Sequence, residues 1–152
     1  MVDEITGSSL PKLVLKSSEG GNCRIPDDLL GSYTVLFFYP KDQTPGCTKE
    51  ACSFRDYSDD FKRANAKVYG ISADSIDSHH RFINKYELNF PLLADEDKKL
   101  AKALGVSSFL GILSRDTFLI DREGKVAKVW RKVDATKSAL LCLSELASLQ
   151  AK

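Results

Sequence analysis

Apolar side chains occupy both alternating faces of Tyr33-Thr34-Val35-Leu36-Phe37-Phe38-Tyr39 and stop at Pro40, the pattern of a central strand buried on both sides. Ala66 to Ser72 repeats the pattern over a shorter run. Between the two, Ala51, Phe54, Tyr57, Phe61 and Ala64 recur at helical spacing, which predicts an amphipathic helix from about Cys47 to Asn65. Strand, helix, strand in that order implies a parallel pair. A second helix is expected from about Ser75 to Glu87, with Asp74 or Ser75 as N-cap and Ile76, Ile83 and Tyr86 facing inward. Pro91 follows, then a short helix from Glu96 to Leu104 that Gly105 stops. Thr117 to Asp121 and Lys125 to Trp130 flank the connection Arg122-Glu123-Gly124 and read as a hairpin. Leu140, Leu141, Leu143, Leu146 and Leu149 mark a terminal helix, and earlier strands are expected at Lys12 to Leu15 and Asn22 to Ile25. The order describes an α/β fold, a central mixed sheet flanked by helices with an antiparallel edge and extra N-terminal strands.

Composition narrows the class without naming a function. A chain of 152 residues, 43% hydrophobic and 28% charged, with no repeat or Ser/Gly linker, reads as one domain over 1–152. A domain of this size buries roughly 68–70% of its unfolded surface, so it needs no staples. Lys and Arg number 22 against 21 Asp and Glu, which offers no general attraction for nucleic acid or anionic lipid. The apolar run at Tyr33 to Tyr39 is far short of a membrane span, and the N-terminus lacks the basic and apolar regions of a secretory signal. The expected compartment is the cytosol, where the four cysteines, Cys23, Cys47, Cys52 and Cys142, matter as chemistry rather than as a disulfide framework.

The chemistry concentrates in Pro40-Lys41-Asp42-Gln43-Thr44-Pro45-Gly46-Cys47-Thr48-Lys49-Glu50-Ala51-Cys52, which puts a thiol at the start of a helix directly after a buried strand. Unpaired N–H groups and the positive end of the helix dipole favour a thiolate, the nucleophilic form, at such a position. Pro45 and Gly46 shape a tight entry, Thr44 brings a hydroxyl near the sulfur, and the Gly46 and Cys47 amides are available to an oxygen bound there. The arrangement suits a small oxygen-bearing substrate.

Pro40-x-x-x-Thr44-x-x-Cys47 resembles the P-x-x-x-T/S-x-x-C active-site motif of peroxiredoxins. With a second cysteine five residues on, Thr44-Pro45-Gly46-Cys47-Thr48-x-x-Ala51-Cys52-x-Phe54-Arg55-Asp56 is similar to the peroxiredoxin Q branch, also called bacterioferritin comigratory protein. Gly70-Ile71-Ser72, Asn89-Phe90-Pro91-Leu92-Leu93-Ala94-Asp95 and Arg115-x-Thr117-Phe118-Leu119-Ile120-Asp121 resemble further segments in the family's order. The resemblance implies a thioredoxin-like fold and reduction of hydrogen peroxide and organic hydroperoxides. By that resemblance Cys47 is the peroxidatic cysteine, Cys52 the resolving one, Thr44 orients peroxide and thiolate, Pro40 shields the site and Arg115 supplies positive charge. An arginine keeps its charge and offers a planar fork of donors, so it suits a thiolate and a developing oxyanion together. The segment Val106 to Ser114 is shorter than the loop many members carry. No haem, flavin or nicotinamide motif is present, so electrons are expected from thioredoxin or a similar dithiol, with no cofactor and a monomer as the working unit.

Other readings stand beside this one. Without its neighbours, a cysteine near a helix start is ordinarily a small buried hydrophobe. Cys47 and Cys52 lack a second Cys/His pair to complete a zinc site. His79 and His80, adjacent on a polar helix, read as solvated; Cys142 reads as core; Cys23 or Cys142 is the fallback resolving thiol. Trp130 reads as packed aromatic surface and Lys98-Lys99 as helix surface. A general disulfide oxidoreductase normally shows C-x-x-C, and here Thr44 holds the first of those positions. A non-enzymatic holdase or interaction module is the reading from another class, since fold does not fix function. On a regular helix Cys47 and Cys52 lie about 7.5 Å apart along the axis and about 140° around it, so their Cα atoms are about 8.7 Å apart. That exceeds the ~7 Å limit for a disulfide. Oxidation to a bond between them is therefore expected to unwind the segment from Cys47 to about Asp56, with Cys47 pocketed and Cys52 outside in the reduced form.

Overall fold

The computed structural model describes residues 3–151. Their order is β1 (Leu13–Ser17), β2 (Asn22–Ile25), a 3-10 turn at Asp27–Leu29, β3 (Tyr33–Phe38), α1 (Pro45–Asp56), α2 (Ser58–Arg63), β4 (Ala66–Ser72), α3 (Ile76–Tyr86) and β5 (Leu92–Ala94). Then come α4 (Lys99–Ala103), β6 (Ser108–Phe109), β7 (Ile112–Leu113), β8 (Thr117–Ile120), β9 (Val126–Trp130) and α5 (Ser138–Gln150). Seven strands form one mixed sheet in the order β2-β1-β5-β4-β3-β8-β9, and β6 and β7 pair separately. The expected parallel pair is present, with Tyr33 beside Ala66 and Phe38 beside Ile71, and β8 and β9 form the expected antiparallel hairpin.

Alternation along β3 explains why the sheet is covered twice. Val35, Phe37 and Tyr39 point into a core shared with α1, α2, α3 and α5, whereas Leu36 and Phe38 point into a second core with α4 and the N-terminal strands. This is the thioredoxin-like arrangement, helices on both faces of a central mixed sheet. No helix among the described residues is long and apolar enough to cross a membrane.

Four departures from the sequence pattern have physical causes. The helix expected over Cys47 to Asn65 breaks at Tyr57, whose ψ of 13° ends α1 before Ser58 restarts the chain as α2. No Gly or Pro marks the break; it is tertiary, and it leaves Phe61 packed on Phe54 at 5.6 Å between ring centroids. Leu92–Ala94 is a strand wedged between β1 and β4, too short to show a period. The helix expected from Glu96 starts at Lys99, because the buried Asp95 carboxylate takes the Leu100 and Ala101 N–H groups and Lys98 turns through φ 58°. His79 is the fourth: it is fully buried on α3 beside Phe82, while only His80 meets solvent. The reason is that both ring nitrogens of His79 find internal partners, Asp42 and the Leu93 carbonyl.

Candidate active site

Two neighbouring strand ends assemble the site. Pro40 closes the β3 strand half-buried, the loop to Thr44 turns through Gln43 at φ 64°, and α1 starts at Pro45, whose missing N–H is no loss at a first helical position. Cys47 falls in the first turn of α1, 1% exposed. β8 runs antiparallel to β3, with Phe37 opposite Thr117 and the Phe38 N–H bonded to the Asp116 carbonyl. That register carries Arg115, just ahead of β8, to the mouth of the helix. Asp116 anchors the turn by accepting from the Ser114 hydroxyl at 2.8 Å, Arg131 Nη1 at 3.0 Å and the Lys132 N–H at 3.0 Å.

The Arg115 guanidinium bridges two groups of α1. Nη2 donates to the Cys47 sulfur at 3.5 Å and Nη1 donates to Glu50 Oε1 at 2.8 Å. Burial works against the Arg115 charge, yet Glu50 and Cys47 outweigh it and hold the guanidinium above its ordinary range. Glu50 is fully buried, and burial pushes its carboxyl up to about 7 against the opposing pull of Arg115. Its Oε2 has no hydrogen-bond partner among the described residues. Gly46 has a use specific to this site: a Cβ there would lie 3.1 Å from Arg115 Nη2.

Thr44 is half-buried at the N-cap position, and its hydroxyl donates to the Lys41 carbonyl at 2.9 Å. With its proton committed there, Oγ1 is left as an acceptor. Cys52 is half-buried further along α1, on a surface groove of about 410 Å³ lined also by Lys49, Ser53, Asp56, Tyr57 and Thr136. All four cysteines are free thiols. Cys142 shares the Cys47 core and is fully buried; burial, then Glu50, pushes its thiol far above the usual range. Cys23 lies in the core on the opposite face, its thiol raised to about 11 chiefly by burial and then by Asp28. The structure thus brings Cys47, Arg115 and Thr44 to one end of α1, leaves Cys52 at the surface, and sets Cys23 across the sheet.

Glu50 was not singled out from the sequence, although it could have been. It lies three residues after Cys47, hence on the same helical face, beside Ala51 on the buried stripe. An acid on that face needs a cation, and Arg115 is one. Asp42 and His79 carried no comparable signal.

The AhpC/TSA family model matches residues 6–129. Peroxiredoxin Bcp of Bacillus subtilis (strain 168) is 43% identical over 151 residues, covering 92% of this chain and 95% of its own. Among solved structures, peroxidoxin BcpB from Mycobacterium tuberculosis superposes with a TM-score of 0.89 at 34% identity, over 97% of this chain and 99% of that one. The bacterioferritin comigratory protein of Xanthomonas campestris, solved as trapped intermediate and ligand complexes bearing on its alkyl peroxide reduction, gives 0.85 at 34% identity, over 100% and 98%. A match of this extent, on a fold that sets a thiol at a helix start beside an arginine, means that the chain belongs to the AhpC/TSA family, in its Bcp and peroxiredoxin Q branch, and is a thiol-dependent peroxidase.

Proposed function

We propose that Cys47 reduces hydrogen peroxide and organic hydroperoxides and that Cys52 resolves it. The observation that carries this reading is the Arg115 guanidinium spanning the Cys47 sulfur and Glu50 at the first turn of α1. The Cys47 thiolate attacks one peroxide oxygen, the O–O bond breaks, and the leaving oxygen departs as water or an alcohol after taking a proton. Sulfur gives up two electrons and becomes a sulfenic acid. Arg115 faces both the thiolate and the negative charge that develops on the leaving oxygen. Thr44 Oγ1, its own proton held by Lys41, accepts from the peroxide O–H and aims the substrate.

The sulfenic acid then condenses with the Cys52 thiol, releasing water and forming a disulfide. A dithiol such as thioredoxin returns two electrons by thiol exchange and regenerates both thiols. Cys52 is favoured over Cys142, which is fully buried, and over Cys23, which lies across the sheet. Resolution within one chain makes a monomer sufficient, in a reducing compartment such as the cytosol where a dithiol donor is at hand. The alkyl peroxide reduction of the Xanthomonas protein supports extending the substrates beyond hydrogen peroxide.

The test is Cys52→Ser. The first peroxide reaction should run at the wild-type rate and stop at a Cys47 sulfenic acid that dimedone traps, with thioredoxin-dependent turnover lost. Normal turnover through a Cys47 disulfide to Cys23 or Cys142 would move the resolving role elsewhere.

A further inference from the structure

The loop between β3 and α1 is held from beneath by a buried polar cluster that the thiol chemistry does not use. Asp42, in the middle of that loop, is 7% exposed. Its Oδ1 accepts the Tyr39 hydroxyl, and its Oδ2 accepts the Ser78 hydroxyl at 2.8 Å and faces His79 Nδ1 at 2.7 Å. The Asp42 N–H donates to Asp74 Oδ2 at 2.8 Å, and the same oxygen accepts the Ser72 hydroxyl at 2.6 Å. His79 Nε2 lies 3.0 Å from the Leu93 carbonyl in β5. The end of β4, α3 and β5 therefore all hold one short loop, whose Gln43 adopts a positive φ that its surroundings must maintain.

A donor and acceptor inventory places the protons. The Leu93 carbonyl can only accept, so Nε2 carries a hydrogen. Three groups converge on the Asp42 carboxyl, two of them hydroxyls that donate to it. Nδ1, 2.7 Å from Asp42 Oδ2, then shares a single hydrogen with that carboxyl, so the ring and the loop are joined by one buried bond. Around that ring the charged and titratable groups are Asp42 from the loop, Tyr39 from β3 and Asp74 beyond Asp42. A buried polar pair of this kind is a poor route to stability compared with apolar packing of the same volume, but removing one partner leaves the other buried and unsatisfied.

We propose that the Asp42–His79 pair is a latch that positions the peroxide site. Asp42 fixes the adjoining Lys41 carbonyl, that carbonyl fixes the Thr44 hydroxyl, and the Thr44 carbonyl accepts the Thr48 N–H that closes the first turn of α1 around Cys47. The latch also sets the N-terminal limit of any unwinding of α1. Asp42 and His79 are positioning residues, acting on the reaction through Thr44 and Cys47. The proposal rests on the reading of Cys47 as the peroxide-reactive thiol.

Three measurements test it. In the wild-type protein, ¹H–¹⁵N spectra should show a slowly exchanging hydrogen bonded between His79 Nδ1 and the Asp42 carboxyl; its absence would overturn the latch. Asp42→Ala and His79→Ala should each slow the reaction of Cys47 with peroxide by about 10- to 100-fold, the loss expected from a misplacement of up to about 1 Å. Disulfide formation from the sulfenic acid should not slow. Asp42→Asn is the conservative rescue: its amide oxygen can accept from Tyr39 while its NH₂ donates to His79 Nδ1 and to the Ser78 oxygen. That variant should keep the rate within about threefold while one His79 nitrogen becomes bare. A folded alanine variant with the wild-type rate, or Asp42→Asn as slow as Asp42→Ala, would overturn the proposal. Hydrogen exchange over residues 40–48, which needs no peroxide, should accelerate in the alanine variants and not in Asp42→Asn. It decides the latch even if peroxide proves not to be the Cys47 substrate, and should His79→Ala fail to fold, the Asp42 variants carry the test.

Discussion

Peroxide should open the start of α1 and the opening should stop at Phe54. Cys47 and Cys52 belong to one uninterrupted helix, Pro45–Asp56, in which regular geometry keeps their Cα atoms about 8.7 Å apart, beyond the ~7 Å reach of a disulfide. The bond therefore requires unwinding. What limits the unwinding is Phe54, fully buried, stacked on Phe37 at 4.4 Å and packed on Phe61 at 5.6 Å. Exposing that ring costs roughly 2–3 kcal/mol of burial and about 1 kcal/mol of stacking, so opening past it is disfavoured by roughly 100- to 1,000-fold. Ahead of it the inward side chains are Cys47, Glu50 and Ala51, none of them a large hydrophobe. Hydrogen exchange on protein treated with one equivalent of peroxide should show the amides of Thr48 to Asp56 losing protection, from the Thr48 bond to the Thr44 carbonyl up to the N–H groups whose acceptors are the carbonyls of the unwound residues through Cys52, while the sheet is unchanged. Phe54→Ala should extend the loss to Tyr57 and beyond, starting with the Tyr57 bond to the Ser53 carbonyl, and deepen the fall in helical circular dichroism. A Cys47–Cys52 disulfide with α1 still protected from Thr48 onward would refute the geometric argument, and an unmoved boundary in Phe54→Ala would refute the role given to that ring.

Cys47→Ser should fold normally and lose peroxidase turnover, measured by coupled thioredoxin oxidation, because a serine hydroxyl offers no comparable anionic nucleophile. Arg115→Ala should slow the peroxide step by about 10²- to 10³-fold in stopped-flow measurements, the loss seen on removing a donor to a developing oxyanion. In Gly46→Ala the new methyl, 3.1 Å from Arg115 Nη2, should push the guanidinium away and slow the same step by about tenfold with little change in Tm. Glu50 binds its proton more tightly folded, at about 7, than at its ordinary 4.5, so its contribution to stability is full below 4.5 and lost as the pH rises through 7. Denaturant titrations should show the fall in stability between pH 4.5 and 7 flatten in Glu50→Gln.

Period and spacing were enough to read β3 and β4, the β8–β9 hairpin and the existence of α3 and α5, but not the buried faces of those two helices: α3 buries His79 and Phe82 where Ile76, Ile83 and Tyr86 were expected inward and are only partly buried, and α5 leaves Leu140 and Leu141 exposed. They were also enough to place a thiol at a helix start after a buried strand. What the chain did not declare are contacts made across it. Glu50 shows its place on the buried stripe but not its partner until β8 brings Arg115 over it, and the helix expected from Glu96 starts later because the Asp95 carboxylate takes the N–H groups of its first turn. His79 looks solvated because its neighbours in sequence are polar, whereas its partners, Asp42 and Leu93, lie far away along the chain. The break at Tyr57 carries no Gly or Pro to announce it, and the rings of Phe54 and Phe61 pack together across it.

The central claim is that Cys47 takes the peroxide oxygen and Cys52 closes the cycle within the same chain. Intact mass and peptide mapping of the reduced protein after one equivalent of peroxide test it most directly. The account predicts a mass lower by two hydrogen atoms, no covalent dimer, and a single cross-linked pair joining Cys47 to Cys52. A Cys47 left as an unmodified thiol, or joined to Cys23, Cys142 or a second chain, would contradict it.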